Sequence, residues 1–263
     1  MAEFFTIASS SSGNCSLLSD GGTHILIDAG ISLRRIKSAL SERCLELSDL
    51  SGVLITHEHS DHIAGLRMLQ KYYGIPVYAS RGTGGALLSM LPEIRNNLIL
   101  FGEGDAFYLG EVYIKAFKTP HDTAGSVGFR FELSGGHSMG FATDLGCVTP
   151  EVMGGVRGAR LIVLEANHDL EMLRIGHYPP YLKRRIRGEN GHLSNTDCGS
   201  AAAQLVKSGT ETLILAHLSK ENNTPELAQL TVADAVTSAG AVPGRDLCLD
   251  VAPRCEIGRV YKL

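Results

Sequence analysis

Apolar residues along this chain come in short runs separated by small or polar stretches, and the runs set a rhythm of strands and helices. Residues 4–8 form an apolar run, 9–14 are serines, glycine and asparagine, and 15–18 turn apolar again, which predicts two paired strands with a small-residue connection. Residues 23–29 lie between Gly21-Gly22 and Gly30 and read as a strand, and 53–56 read as the end of a buried one. Strands are also predicted at 77–79, 112–117, 126–131, 138–142, 160–164 and 213–217. Between them the apolar positions change to helical spacing. Ser32 caps a helix carrying Leu33, Ile36 and Leu40, a second covers 63–73 and stops at Gly74-Ile75-Pro76, and a third covers 82–91 and stops at Pro92. A helix follows at 196–207, and another starts at Thr224-Pro225-Glu226, with Ala228, Leu230 and Val232 packed. Residues 247–251 and 256–261 read as a closing hairpin. Alternating strands and helices favour α/β layering, and no repeat or linker divides the chain, so residues 1–263 are expected to form one domain.

The strand end at 53–56 runs into His57-Glu58-His59-Ser60-Asp61-His62. Alternate side chains leaving a strand can aim into one cavity, so His57 and His59 share a direction, and Asp61 and His62 follow on the first turn of a helix. Imidazole and carboxylate together suit zinc and similar divalent ions. His121, at a strand-to-loop edge after Pro120, is a plausible further ligand. Asp28 closes its strand where a carboxylate could orient a ligand histidine, or cap the next turn. The loop holding Ser11 and Asn14 is either a hairpin turn or a surface whose hydroxyls and amides line a substrate phosphate. His192, in Gly188-Glu189-Asn190-Gly191-His192-Leu193-Ser194-Asn195, is a candidate general acid, and Ser194 or Asn195 can cap the helix after it, whose N-terminus favours an anion. Glu165 and His168 could orient His192 or face substrate; the run around His168 can equally be a strand-end turn. Between them, Lys183, Arg184, Arg185 and Arg187, with Tyr178 and Tyr181 upstream, either hold a nucleic-acid backbone and stack on bases or form a solvated helix face.

The H-x-H-x-D-H run resembles the signature of the metallo-β-lactamase-fold hydrolases. That resemblance implies an αββα sandwich of two mixed sheets with outer helices. It also implies a dinuclear site, with His57, His59 and His121 on one ion, Asp61, His62 and His217 on the other, and Asp144 bridging. Ser-Ser-Gly-Asn-Cys at 11–15, Glu-Ala-Asn-His-Asp at 165–169 and Gly-His-Leu-Ser-Asn at 191–195 are similar to motifs of the YycJ/WalJ-type bacterial hydrolases. This branch implies a phosphodiesterase with two divalent ions per chain, zinc or manganese. Its expected activity is that of a 5′-to-3′ DNA exonuclease in DNA repair. A metal-bridging hydroxide would attack phosphorus, with Asp61 orienting it or taking its proton and His192 protonating the leaving group. A thioester or small-ester hydrolase of the glyoxalase II kind is the rival enzyme. That branch usually carries a second histidine shortly after its third motif, where this chain has His121-Asp122-Thr123-Ala124-Gly125-Ser126. A metal-holding partner protein without catalysis is the remaining alternative.

Composition narrows this little further. With 44% hydrophobic and 20% charged residues, the chain is ordinary for a globular protein, and a net charge of −4 gives no global attraction to nucleic acid or anionic membrane. The six cysteines include no C-x-x-C pair and read as reduced thiols. No signal peptide and no membrane-length apolar run are recognisable, so a cytoplasmic protein with a nucleic-acid partner, DNA above RNA, and no membrane partner is expected. Homo-oligomers are left open.

Overall fold

The computed structural model covers residues 1–263 and arranges them in two 7-stranded sheets. The first sheet contains β1 (Glu3–Ala8), β2 (Cys15–Asp20), β3 (Thr23–Ile27), β4 (Gly52–Ile55), β5 (Val77–Ser80) and β6 (Leu98–Phe101) in sequence order, with the last strand, β14 (Tyr261–Lys262), beside β1. The second contains β7 (Ala106–Leu109), β8 (Val112–Lys118), β9 (Val127–Glu132), β10 (Ser138–Ala142), β11 (Leu161–Glu165), β12 (Thr212–Ala216) and β13 (Cys248–Val251). Both are mixed. β1 to β3 and β7 to β10 pair antiparallel, while β3 to β6 and β10 to β13 pair parallel. Parallel neighbours need crossovers, which are helical here. They are α1 (Leu33–Ser41), α2 (Ser60–Ile63), α3 (Leu66–Tyr73) and α4 (Arg81–Met90) on the first sheet. On the second they are α5 (Pro150–Val156), α6 (Leu170–Ile175), α7 (Pro180–Ile186), α8 (Asn195–Val206) and α9 (Pro225–Ser238).

The period of two along each strand sorts the apolar side chains into layers. Phe4, Ile25 and Ile27 face Phe129, Phe131, Met139 and Val163 in the core between the sheets. Their neighbours Phe5, Ile7 and Leu26 face the other way, into the core under α1 and α3. A third core lies between the second sheet and α5, α8 and α9. This is the expected αββα sandwich. No helix is long and apolar enough to cross a membrane.

Several local expectations need correction. The helix expected over 63–73 is broken at Gly65, whose backbone N–H donates to the Ala29 carbonyl at 2.8 Å and where a Cβ would lie 2.1 Å from the Ile31 oxygen. That close approach leaves α2 as a separate turn carrying Asp61 and His62. The closing hairpin does not form. β13 joins β12 in the second sheet and β14 joins β1 in the first, because each covers an edge that local pairing would leave bare. Leu230 is 60% exposed, and Ala228, Val232 and Val236 are the residues that seat α9. Edge strand β6 of the first sheet, edge strand β7 of the second and the helices α5 and α6 form where no element was expected.

Candidate metal centre

The chemistry-bearing residues gather where strands end. Asp28 follows β3, Asp144 lies two residues beyond β10, and His217 follows β12. All three are in the left-handed region, at φ 60, 56 and 58. Such backbone is uncommon outside glycine and clusters at functional sites. It swings each side chain off its strand direction. The Ser9 hydroxyl accepts from the His217 N–H at 2.8 Å, and the Asn167 side chain donates to the His217 carbonyl at 2.8 Å, which fixes that turn.

Two groups that could hold a cation result, each with donor atoms mutually within 4.8 Å: His57, His59 and His121; and Asp61, His62 and His217. Asp144 spans them, with one oxygen 3.3 Å from His62 Nε2 and the other 3.8 Å from His121 Nε2. His57 Nε2 and Asp144 Oδ2 are buried without a hydrogen-bond partner, as metal ligands would be. Glu58, between two of the histidines, faces away. Its carboxylate accepts from the Ala124 N–H at 2.8 Å and from the Thr83 hydroxyl at 3.3 Å, bracing the loop after His121.

Behind the ligands lies a set of buried supports. Asp28 Oδ2 is 2.7 Å from His62 Nδ1. The same carboxylate accepts from the Thr56 hydroxyl at 2.9 Å, and that hydroxyl is 3.1 Å from His57 Nδ1. The Thr56 proton is committed to Asp28, so Thr56 accepts from His57 Nδ1–H and leaves the Nε2 lone pair free. Glu165 Oε1 is 2.8 Å from the Nδ1 atoms of both His217 and His192. Asn14 donates to Asp61 Oδ2 at 3.2 Å. Burial disfavours charge on His62, but Asp144, Asp28 and Asp61 outweigh it and raise its pKa to about 10. His217 is raised against burial by Asp144, Asp61 and Glu165. A pocket that draws protons onto buried imidazoles has surplus negative charge, which suits a cation. His57 is held well below its ordinary value by burial and by the neighbouring imidazoles.

The ring of His192 stands 5.1 Å from that of His121 and 5.3 Å from that of His217, over the gap between the ligand groups. Its Nδ1 is held by Glu165, and its side chain is 19% exposed. Although burial raises the Glu165 pKa, His192 and His217 hold it below the usual carboxylate range. His192, Glu165, Asp144 and His217 also converge within 4.8 Å, but the two Nδ1 atoms there are both engaged by Glu165.

Other expected site residues turn elsewhere. Ser11 is exposed and its side chain has no hydrogen-bond partner, whereas Ser9 and Asn14 of that loop reach inward. Ser194 is spent as the α8 cap, accepting from the Asp197 N–H at 3.1 Å. Asn195 pairs with Asn223 in the interior at 2.8 and 2.9 Å. His168 is 1% exposed with both ring nitrogens unpartnered, and burial lowers its pKa to about 4; its carbonyl, not its ring, contributes by accepting from the Asn195 N–H. In α7, Arg185 grips Asp122 with both ends of its fork, at 2.6 and 3.1 Å, and Lys183 donates to the Arg174 carbonyl at 2.8 Å. Neither is a free cation. Arg184 and Arg187 are exposed and form no ion pair. Thr56, Ser9, Asn167 and Asp122 were missed. Only Thr56 gave a local signal, a hydroxyl at the strand end directly before the first histidine.

A family model described as Beta-lactamase superfamily domain matches residues 23–218. The chain is 36% identical over 238 residues to the exodeoxyribonuclease YycJ of Bacillus anthracis, covering 90% of each. It is 36% identical over 249 residues to the exodeoxyribonuclease WalJ of Streptococcus pneumoniae serotype 2, covering 93% of this chain and 91% of that one. It also superposes on the metallo-beta-lactamase fold protein YhfI from Bacillus subtilis with a TM-score of 0.75, over 99% of this chain and 98% of that one at 16% identity, a likeness of fold alone.

Proposed function

Since the chain belongs to the metallo-β-lactamase superfamily and within it to the branch of YycJ and WalJ, metal-dependent hydrolases, we propose that it is a DNA exonuclease that cuts phosphodiesters from the 5′ end in DNA repair. His57, His59 and His121 would hold one divalent cation and Asp61, His62 and His217 a second, with Asp144 shared; zinc and manganese both suit these donors. When bound, such a pair supplies Lewis acidity at the phosphoryl oxygens and a water nucleophile usable at neutral pH. Asp61, fixed by Asn14, orients that nucleophile. His192 donates its Nε2 proton to the departing alkoxide, while Glu165 on Nδ1 stabilises the imidazolium and sets the ring's direction.

The observation that carries this reading is the position of His192, over the gap between the ligand groups with a buried carboxylate behind it. A thiolate, with a conjugate-acid pKa of ~8.5, leaves without help, whereas an alkoxide needs an acid. A built-in acid therefore favours a phosphodiester over the thioester alternative.

His192→Ala should keep its metals and fold and lose about 10²–10⁴-fold in kcat on end-labelled DNA. It should lose much less on bis-p-nitrophenyl phosphate, whose leaving group needs little protonation. Equal losses on both substrates, or lost metal, would remove the acid role. In the same assay, early release of labelled mononucleotide from a 5′-labelled strand, with progressive shortening of a 3′-labelled one, is the outcome expected for polarity.

A further inference from the structure

Beside the metal centre, α7 leaves large apolar surface in water that the fold does not use. Tyr181 on α7 is 67% exposed and Ile175, the last residue of α6, is 70% exposed, while Ile186 is the side chain that seats α7. Isolated exposed apolar residues are ordinary. Tyr181 precedes the exposed cations Arg184 and Arg187 by three and six residues, on an element tied to the site at several points.

The ties are specific. Arg185 grips Asp122, the neighbour of His121. The His192 N–H donates to the Ile186 carbonyl at 2.9 Å, and the His121 ring reaches the Gly191 carbonyl at 3.0 Å. Gly191 fits against α7 so closely that a Cβ there would lie 2.2 Å from the Arg185 and Ile186 oxygens. At Gly146, beyond Asp144, a Cβ would lie 2.3 Å from the Gly188 and Glu189 oxygens. The helix is thus fixed to His192 and to the loops of His121 and Asp144. Tyr181 lies four residues before Arg185, on the same face of the helix. That places Tyr181 on the side of the helix from which Arg185 reaches the His121 loop.

We infer that α7 is a stacking platform for an unpaired base of the substrate strand, with Tyr181 against the base and Arg184 and Arg187 on the flanking phosphates. The inference rests on the nuclease reading above. A flat, sequence-tolerant aromatic beside free guanidinium groups is how single strands are held, and a base still stacked within a duplex offers no face to it. Arg185 and Lys183 have the structural part, fixing the helix, and only the outward cations face substrate.

The test is binding of the metal-loaded protein to a short single-stranded DNA whose phosphorothioate linkages resist cleavage, followed by fluorescence anisotropy. Tyr181→Ala should weaken binding on the order of ten-fold or more, and Tyr181→Phe should restore it. Replacing bases one at a time by abasic residues should reveal one position whose loss weakens wild type about as much and costs Tyr181→Ala nothing further. Arg184→Ala with Arg187→Ala should reduce the slope of log affinity against log salt by about 1.4, at ~0.7 per phosphate contact on a single strand. Equal binding by wild type and Tyr181→Ala, or abasic losses identical in the two, overturns the platform alone. Wild-type protein that hydrolyses bis-p-nitrophenyl phosphate yet binds no oligonucleotide overturns the nuclease reading and the platform with it.

Discussion

The two halves of the proposed metal centre are built differently. His57, His59 and His121 are imidazoles alone. Behind them stand a hydroxyl on His57 and a backbone carbonyl on His121. The other half contains a carboxylate ligand, Asp61, and its two imidazoles are each backed by a buried carboxylate, Asp28 on His62 and Glu165 on His217. A carboxylate on the far nitrogen fixes a ligand imidazole and makes it more basic. The pKa directions follow the same division, with His62 and His217 raised while His57 and His121 are lowered. The second half should hold its cation more tightly, and the first should release its own earlier under chelation. The halves are also linked, through Asp144 between the ligands and through Asp28, which reaches His62 directly and His57 by way of Thr56.

The most damaging way to probe this is to remove the shared ligand. Asp144→Ala should cost at least one of two ions by elemental analysis and more than ~10²-fold in DNA hydrolysis, beyond the range for changing a group behind a ligand. Full occupancy in that variant would mean that the halves are independent. One step smaller is the relay. Asp28→Ala should weaken metal binding about 10–100-fold in calorimetric titration of the apoprotein, with both binding steps affected. Thr56→Val should move only the weaker step, toward the low end of that range. If Thr56→Val shifts the tighter step instead, the assignment of strong and weak halves is reversed. The smallest effect should come from Arg185→Ala. Its pair with Asp122 is partly exposed, so the loss in denaturant unfolding should stay under about 1 kcal/mol. Any change in metal binding should appear at the His121 side, and an effect on the tighter step would break the comparison.

Much of the fold and part of the site were legible in the sequence for a common reason. Strand and helix signals depend on a few consecutive residues, and His57, His59, Asp61 and His62 sit on one turn, where chain geometry alone aims them together. The capping residues Ser32 and Thr224 belong to the same class, each accepting from the N–H three residues on. Sequence alone thus determined the layered α/β character, the starts of α1 and α9 and the core of the ligand run.

Tertiary structure decided what depends on distant partners. Arg185 reads as a free cation until Asp122, 63 positions away, is brought beside it. Ser194 and Asn195 read as equal candidates to cap α8 until Asn195 is folded against Asn223 and Ser194 alone takes the cap. The last two strands read as a hairpin until the open edges of two separate sheets compete for them. The sharing of Glu165 Oε1 between His192 and His217 has no local signature, because it needs two strand ends and the connection before α8 at one rim. Hydrogen bonding and burial are satisfied by whichever group packing brings within reach, and only the assembled layers determine which group that is.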